Sequence, residues 1–156
     1  MGLRHIRVNK DPALRRIAKP VTKFDRHLAD LIDDMFDTMY EANGVGLAGP
    51  QIGVLRQVIV IDTGEEGECL VLINPEIIET EGEQVGAEGC LSLPGRSGIV
   101  SRPETVTVHA FDENGEEFTR TGHGLLARAF CHEIDHLSGV LYTDKMIREV
   151  TEEEKE

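Results

Sequence analysis

"GLLARAFCHEIDHLSG", residues 124–139, is the stretch from which the rest of the chain is read. Leu125, Leu126, Ala129, Phe130, Ile134 and Leu137 recur at helical spacing from Gly124 and stop at Gly139, which predicts one helix. On it His132 and His136 are four apart, so both imidazoles project from one face, one turn above the other. Glu133 sits beside that face. Two imidazoles with a neighbouring carboxylate form the HExxH arrangement, two ligands for a divalent metal and a base beside the water it holds. The background is apolar, so the cluster faces an interior, where a metal would supply the partners that buried imidazoles and a carboxylate need. Read alone, the same five letters also fit a solvated helix face that matches a short pattern by chance. Asp135 reads as a solvated group or as a support for the ligands.

Two histidines leave a metal short of ligands. Downstream there is no further His, and Glu149 lies near the acidic tail with nothing to mark it. Upstream, "EGCLSLPG" (88–95) places Cys90 in a Gly-bounded turn. One thiolate and two imidazoles suit zinc or ferrous iron and leave a fourth position for water. A lone cysteine is otherwise an inert core residue, and Cys69 and Cys131 are read that way. Cys131 precedes His132 directly and points about 100° around the helix from it. His123 reads as a helix-start residue, and His5, His27 and His109 lack ligand spacing.

Further out, "DPALRRIAKPV" predicts a short helical turn with Asp11 as cap and Pro12 at its first position. "TKFDRHLADLIDDMFDTMYEANG" (22–44) predicts an amphipathic helix capped by Thr22 and ended by Gly44. "GVGLAGPQIG" reads as a Gly-rich loop, with no Gly-Lys-Ser/Thr to make it a phosphate loop. "QVIVID", "LVLINP", "TVTVHAF" and "EEFTRT" read as strands, and Asn114-Gly115 predicts a type I′ hairpin. Strands in the middle with helices at the ends predict an α+β fold. The 156 residues are read as one domain, 1–156, with 151–156 a frayed acidic tail.

The net charge of −13 argues against extended phosphate or nucleic-acid binding. No apolar run approaches the roughly 18–20 residues needed to span a membrane. The charged start "MGLRHIRVNKDP" lacks a secretory apolar segment, and Ile6 stands where a myristoylation signal has Ser or Thr, so the chain is read as cytoplasmic. Three cysteines without CxxC suit a reducing compartment.

Taken together, "GVGLAGPQ" (44–51), "EGCLS" (88–92) and "HEIDH" (132–136) resemble the three signature motifs of the peptide deformylase family, and the resemblance extends to "INP" and "GLLARA". It implies an α+β fold with antiparallel or mixed sheets packed around a central helix carrying HEIDH. It implies Cys90, His132 and His136 as ligands of one divalent metal per chain, ferrous iron in the cell, with zinc or nickel able to replace it. Glu133 becomes the general acid/base, and Gln51 with the Leu91 N–H the oxyanion donors. Gly44, Val45 and Gly46 would pair with the substrate peptide, with Leu125 and Ala129 beside the methionine. Glu88 and Arg102 read either as a pair steadying the cleft wall or as two unrelated surface charges. The implied substrate is the N-formylmethionyl end of a nascent chain, with the ribosome as a possible partner and a monomer as the expected state. Two positions depart from the family's usual residues. Gly49 replaces Ala and is expected to loosen the loop that aims Gln51; Cys131 replaces Gln and is expected to face away from the metal.

Two other classes remain to weigh. A general HExxH peptidase takes its third ligand downstream, where this chain has none. A purely structural site fills all four metal positions with protein ligands, and three are visible here.

Overall fold

The computed structural model describes residues 2–151 and 153. Among these residues two α-helices occur, α1 (Arg26–Glu41) and α2 (Gly124–Leu137). The strands are β1 (Gly46–Ala48), β2 (Val58–Asp62), β3 (Cys69–Glu81), β4 (Gln84–Cys90), β5 (Leu93–Arg102), β6 (Thr105–Phe111), β7 (Glu117–His123) and β8 (Arg148–Glu149). They pair antiparallel in two sheets, ordered β1-β2-β3-β6-β7 and β4-β5-β8. The class is α+β, as expected. Parallel pairing is confined, among the described residues, to an isolated bridge between Lys19 and Arg56.

"VIVID" shows how the larger sheet is covered on both faces, since successive side chains on a strand point to opposite sides. Val58 and Val60 join Leu28, Leu31, Ile32, Met35 and Met39 of α1. Ile59 and Ile61 join Leu126, Ala127 and Phe130 of α2. A strand covered on both faces reads as an unbroken apolar run, and β2 does. A third cluster, Leu14, Leu93, Val100, Leu141 and Tyr142, packs with the smaller sheet. Helix α2 lies between the two sheets, and residues 126–133 along it are all buried. Cys131 belongs to its apolar surroundings. Among the described residues, no helix is long and apolar enough to cross a membrane.

Several local expectations are corrected. Helix α1 begins at Arg26, and its cap is Asp25, whose carboxylate accepts the Leu28 N–H at 3.0 Å, not Thr22. The reason lies upstream: the Asn74 amide accepts from Val21 N–H at 2.8 Å and donates to Val21 O at 3.0 Å, holding the chain to β3 just before Thr22. At the other end Asn43 (φ 59°), not Gly44, takes the left-handed conformation, which Asn tolerates. In "DENG" only Gly115 (φ 82°) is left-handed, so the turn is not type I′. The Asp112 carboxylate decides this by accepting from the N–H groups of Asn114 and Glu116 at 2.8 and 3.0 Å. "GVGLAG" contains strand β1, and "EGCLSLPG" is the tip of the β4–β5 hairpin rather than an isolated turn. Cys69 is exposed, not a core residue. Asp11 and Pro12 begin a 3-10 turn as expected, and Gly139 (φ 74°) follows α2. Of the tail expected to fray, residues 152 and 154–156 lie outside the described residues.

The Asn74 clamp gives a direct test of this packing. Two lost hydrogen bonds and a left-handed backbone left to alanine (φ 51° at present) should make Asn74→Ala less stable by about 2 kcal/mol. Urea unfolding measures it, and an unchanged midpoint would show that the clamp contributes nothing.

Candidate active site

Because His132 and His136 are one turn apart on α2, their Nε2 atoms stand 3.2 Å from each other. Cys90, the last residue of β4, brings its Sγ to 3.4 Å from His136 Nε2. These three donor atoms lie within 4.8 Å of one another, which fits a shared metal ion. The spacing is chemically specific: two nitrogens each about 2.0–2.1 Å from a tetrahedral ion stand about 3.3 Å apart. His132 donates its Nδ1–H to Glu88 Oε2, which leaves the Nε2 lone pair facing the other two donors. Burial disfavours charge on either ring. Glu133, Cys90 and Glu88 overcome it at His132, which lies well above the usual histidine range, whereas His136 lies well below it.

Glu88 is the hub behind the rings. Arg102 grips it with two bonds, Nη2 to Oε2 at 2.6 Å and Nε to Oε1 at 3.1 Å. Both residues are buried, so they are not unrelated surface charges. Arg102 Nη1 also donates to Asp135 Oδ2 at 2.9 Å, and Lys145 meets Asp135 from the surface at 3.1 Å. A further partner, Arg128, donates from Nη1 to Glu88 Oε1 at 2.8 Å. Sequence reading missed it; its only signal is that it precedes His132 by four residues. Burial works against the Glu88 carboxylate, but hydrogen bonds from His132 and Arg102 win and hold it well below the usual range.

Glu133 lies beside the same donors, with Oε2 at 3.9 Å from His132 Nε2. Its Oε1 is buried and has no hydrogen-bond partner among the described residues. Burial pushes its carboxyl up to about 7, with the charge on His132 opposing. The carboxylate rests against the backbone of Gly46, where an added Cβ would stand 2.5 Å from Oε2. Glycine is the only residue this contact admits without movement.

Gln51 is buried in a 3-10 turn, Gly49–Ile52, that follows β1. Its Oε1 accepts the Ala48 N–H at 3.0 Å, which turns Nε2 outward. Nε2 donates to Ser92 Oγ at 3.1 Å and points at Cys90 Sγ at 3.5 Å. Ser92 is a second residue that sequence reading missed. Gly49 opens this turn and is closely packed. A Cβ there would stand 2.6 and 2.7 Å from the carbonyl oxygens of Val54 and Arg56, so the missing side chain is what lets that backbone close over the turn.

A cleft of about 480 Å³ opens over these groups. Gly44, Val45, Gly46, Leu125 and Ala129 line it. So do Gln51, Leu91, Cys90, His132, Glu133, Glu88 and Arg128, while His136 and Arg102 lie behind its wall. Leu125 is 53% exposed and stands at the rim, whereas Ala129 is buried. Strand β1 is the edge of its sheet, and the Val45 carbonyl is tied to the Asp62 N–H at 2.8 Å. Carboxylate, imidazole, thiol and amide groups thus converge on one edge-lined cleft, an arrangement suited to hydrolysing an amide.

Comparison with known proteins points the same way. The sequence profile of a family described as polypeptide deformylase matches residues 3–152. A peptide deformylase of Lachnoclostridium phytofermentans is 56% identical over 153 residues, covering 97% of this chain and 94% of that one. One of Caldicellulosiruptor bescii is 56% identical over 156 residues, covering 100% and 93%. The crystal structure of a peptide deformylase from Legionella pneumophila superposes with a TM-score of 0.89 at 49% identity, covering 98% of this chain and 89% of that one.

Loss of the Glu88 charge would strand the buried Arg128 guanidinium and leave Arg102 with Asp135 alone. Glu88→Gln is therefore expected to cost about 3–5 kcal/mol in urea unfolding at pH 7. The pH dependence has a definite sign. Folding depresses the Glu88 carboxyl below its ordinary value of 4.5, so its contribution is full above that pH and is lost as pH falls below it. The parent should show this acid loss and the variant should lack it. Equal stability of the two chains at pH 7 would refute the hub.

Proposed function

This chain belongs to the polypeptide deformylase family, and from that premise we propose that it removes the formyl group from the N-terminal methionine of newly made polypeptides, releasing formate. The observation that carries the residue assignment is the 3.2 Å spacing of the two Nε2 atoms with Cys90 Sγ beside them. Cys90, His132 and His136 would hold one divalent ion. The set of one thiolate and two imidazoles suits ferrous iron, which we take as the ion used in the cell, and it also accepts zinc or nickel. Such an ion lowers the pKa of a water and polarises the formyl carbonyl.

The remaining steps belong to the chain's own residues. Glu133 takes one proton from the water as its oxygen adds to the formyl carbon. Gln51 Nε2 and the Leu91 N–H donate to the carbonyl oxygen as negative charge develops there. When the C–N bond breaks, Glu133 returns its proton to the departing nitrogen, leaving a free amine and formic acid, which gives up the second water proton to become formate. A carboxyl near pH 7 is suited to taking and returning a proton at neutrality. The substrate backbone pairs with the edge at Gly44–Gly46, which gives affinity with little dependence on side chains. Leu125 and Ala129 flank the methionine. One catalytic domain, residues 1–156, acts as a monomer in the cytoplasm on chains emerging from the ribosome.

With ferrous iron under anaerobic conditions, the parent should release formate from formyl-Met-Ala-Ser. Glu133→Ala should hold its metal and release none; substantial activity would remove Glu133 from the acid/base role. Gln51→Leu should lower kcat by about 10²- to 10³-fold at unchanged metal content. A near-normal kcat would show that Nε2 serves only Ser92.

A further inference from the structure

We infer that Arg128 is a positioning residue of the metal centre, coupling the strand that carries Cys90 to the helix that carries both histidines through the Glu88 carboxylate. The inference rests on the proposed ligand set. Arg128 lies one turn before His132 on α2, so both side chains leave the same face. Arg128 Nη1 donates to Glu88 Oε1 at 2.8 Å, and His132 Nδ1 donates to the other oxygen. Two residues of one helix therefore grip the two oxygens of one carboxylate.

Arg102 fills the remaining acceptor directions but cannot supply this coupling directly. Arg102 and Glu88 both belong to the β4–β5 hairpin, so their fork ties the hairpin to itself. Its link to α2 runs through Asp135, whose side chain is partly exposed and shared with Lys145. Arg128 spans the gap from α2 without an intermediary, and its Nη2 also donates to Val100 O on β5 at 3.2 Å. His132 is thus bracketed along the helix by Arg128 before it and Asp135 after it. Cys90 follows Glu88 by two residues on β4, so the distance from thiol to imidazoles is set by the same junction.

Groups behind a metal ligand typically change metal affinity or activity about 10- to 100-fold when removed. For the zinc-loaded protein, Arg128→Met is expected to release metal to a chelator about 10- to 100-fold faster than the parent. The His132 Nδ1–H resonance should shift and exchange faster with solvent. Arg128→Lys keeps one donor for Glu88 Oε1 but loses the fork, and its release rate should fall between the two. If Arg128→Met does not fold, Arg128→Lys decides: faster release supports the inference and a parental rate overturns it. Lower stability with parental release rate and an unmoved His132 signal would mean a packing role only, and would overturn it too. Cys90→Ser separates the premises. If that variant holds zinc as the parent does, the ligand reading fails and this inference with it; if it loses zinc while both Arg128 variants keep it, this inference alone fails.

Discussion

The buried Glu88 carboxylate meets two guanidiniums and one imidazole, and the aim of His132 into the cleft depends on that junction. Glu88 and Asp135 together offset the charges of Arg102 and Arg128. A low-dielectric setting makes such a cluster costly when incomplete and rigid when complete. Rigidity is the useful property here. The His132 ring is aimed by a carboxylate that is itself fixed from two strands and a helix, so its free nitrogen has one direction to face.

The surrounding fold supplies the dry setting. Helix α2 is covered by the five-stranded sheet through Leu126, Ala127 and Phe130, while its polar residues turn to the β4–β5 hairpin. Neither structure alone holds a complete set of proposed ligands: two come from the helix and the third from the end of β4. Gln51, the proposed oxyanion donor, enters from a third element, anchored by its side-chain carbonyl so that its amide hydrogens are left for other partners. Assembly of the cleft is therefore inseparable from packing of the domain.

How much of this could be read in the chain depended on whether a signal was local. Helix α2 was legible because its apolar period and its two histidines share one spacing. Cys90 was legible as a candidate because two histidines leave a metal short of ligands, and a resemblance that joins three separated motifs strengthened it. Glu88 and Arg102 read equally well as a pair or as two unrelated charges, since letters of opposite charge look the same on a surface as in a core. Arg128 was invisible for the same reason: an arginine in a helix ordinarily reads as a solvated face. The β4–β5 hairpin was obscured by glycines and glutamates that weaken strand patterning. The "DENG" turn was misread because the Asp112 side chain, not the Asn-Gly pair, decides its backbone.

The contact between Gly46 and Glu133 has a consequence for how this sequence can change over time. A methyl group at position 46 and a full-length carboxylate at position 133 occupy the same space, although the two residues lie in different motifs far apart in the chain. Each therefore sets the variants open to the other. A larger residue at 46 requires the acid to move or shorten, and a shortened acid loses its place beside the imidazoles. Two positions that look like separate signatures constrain each other through a lack of room.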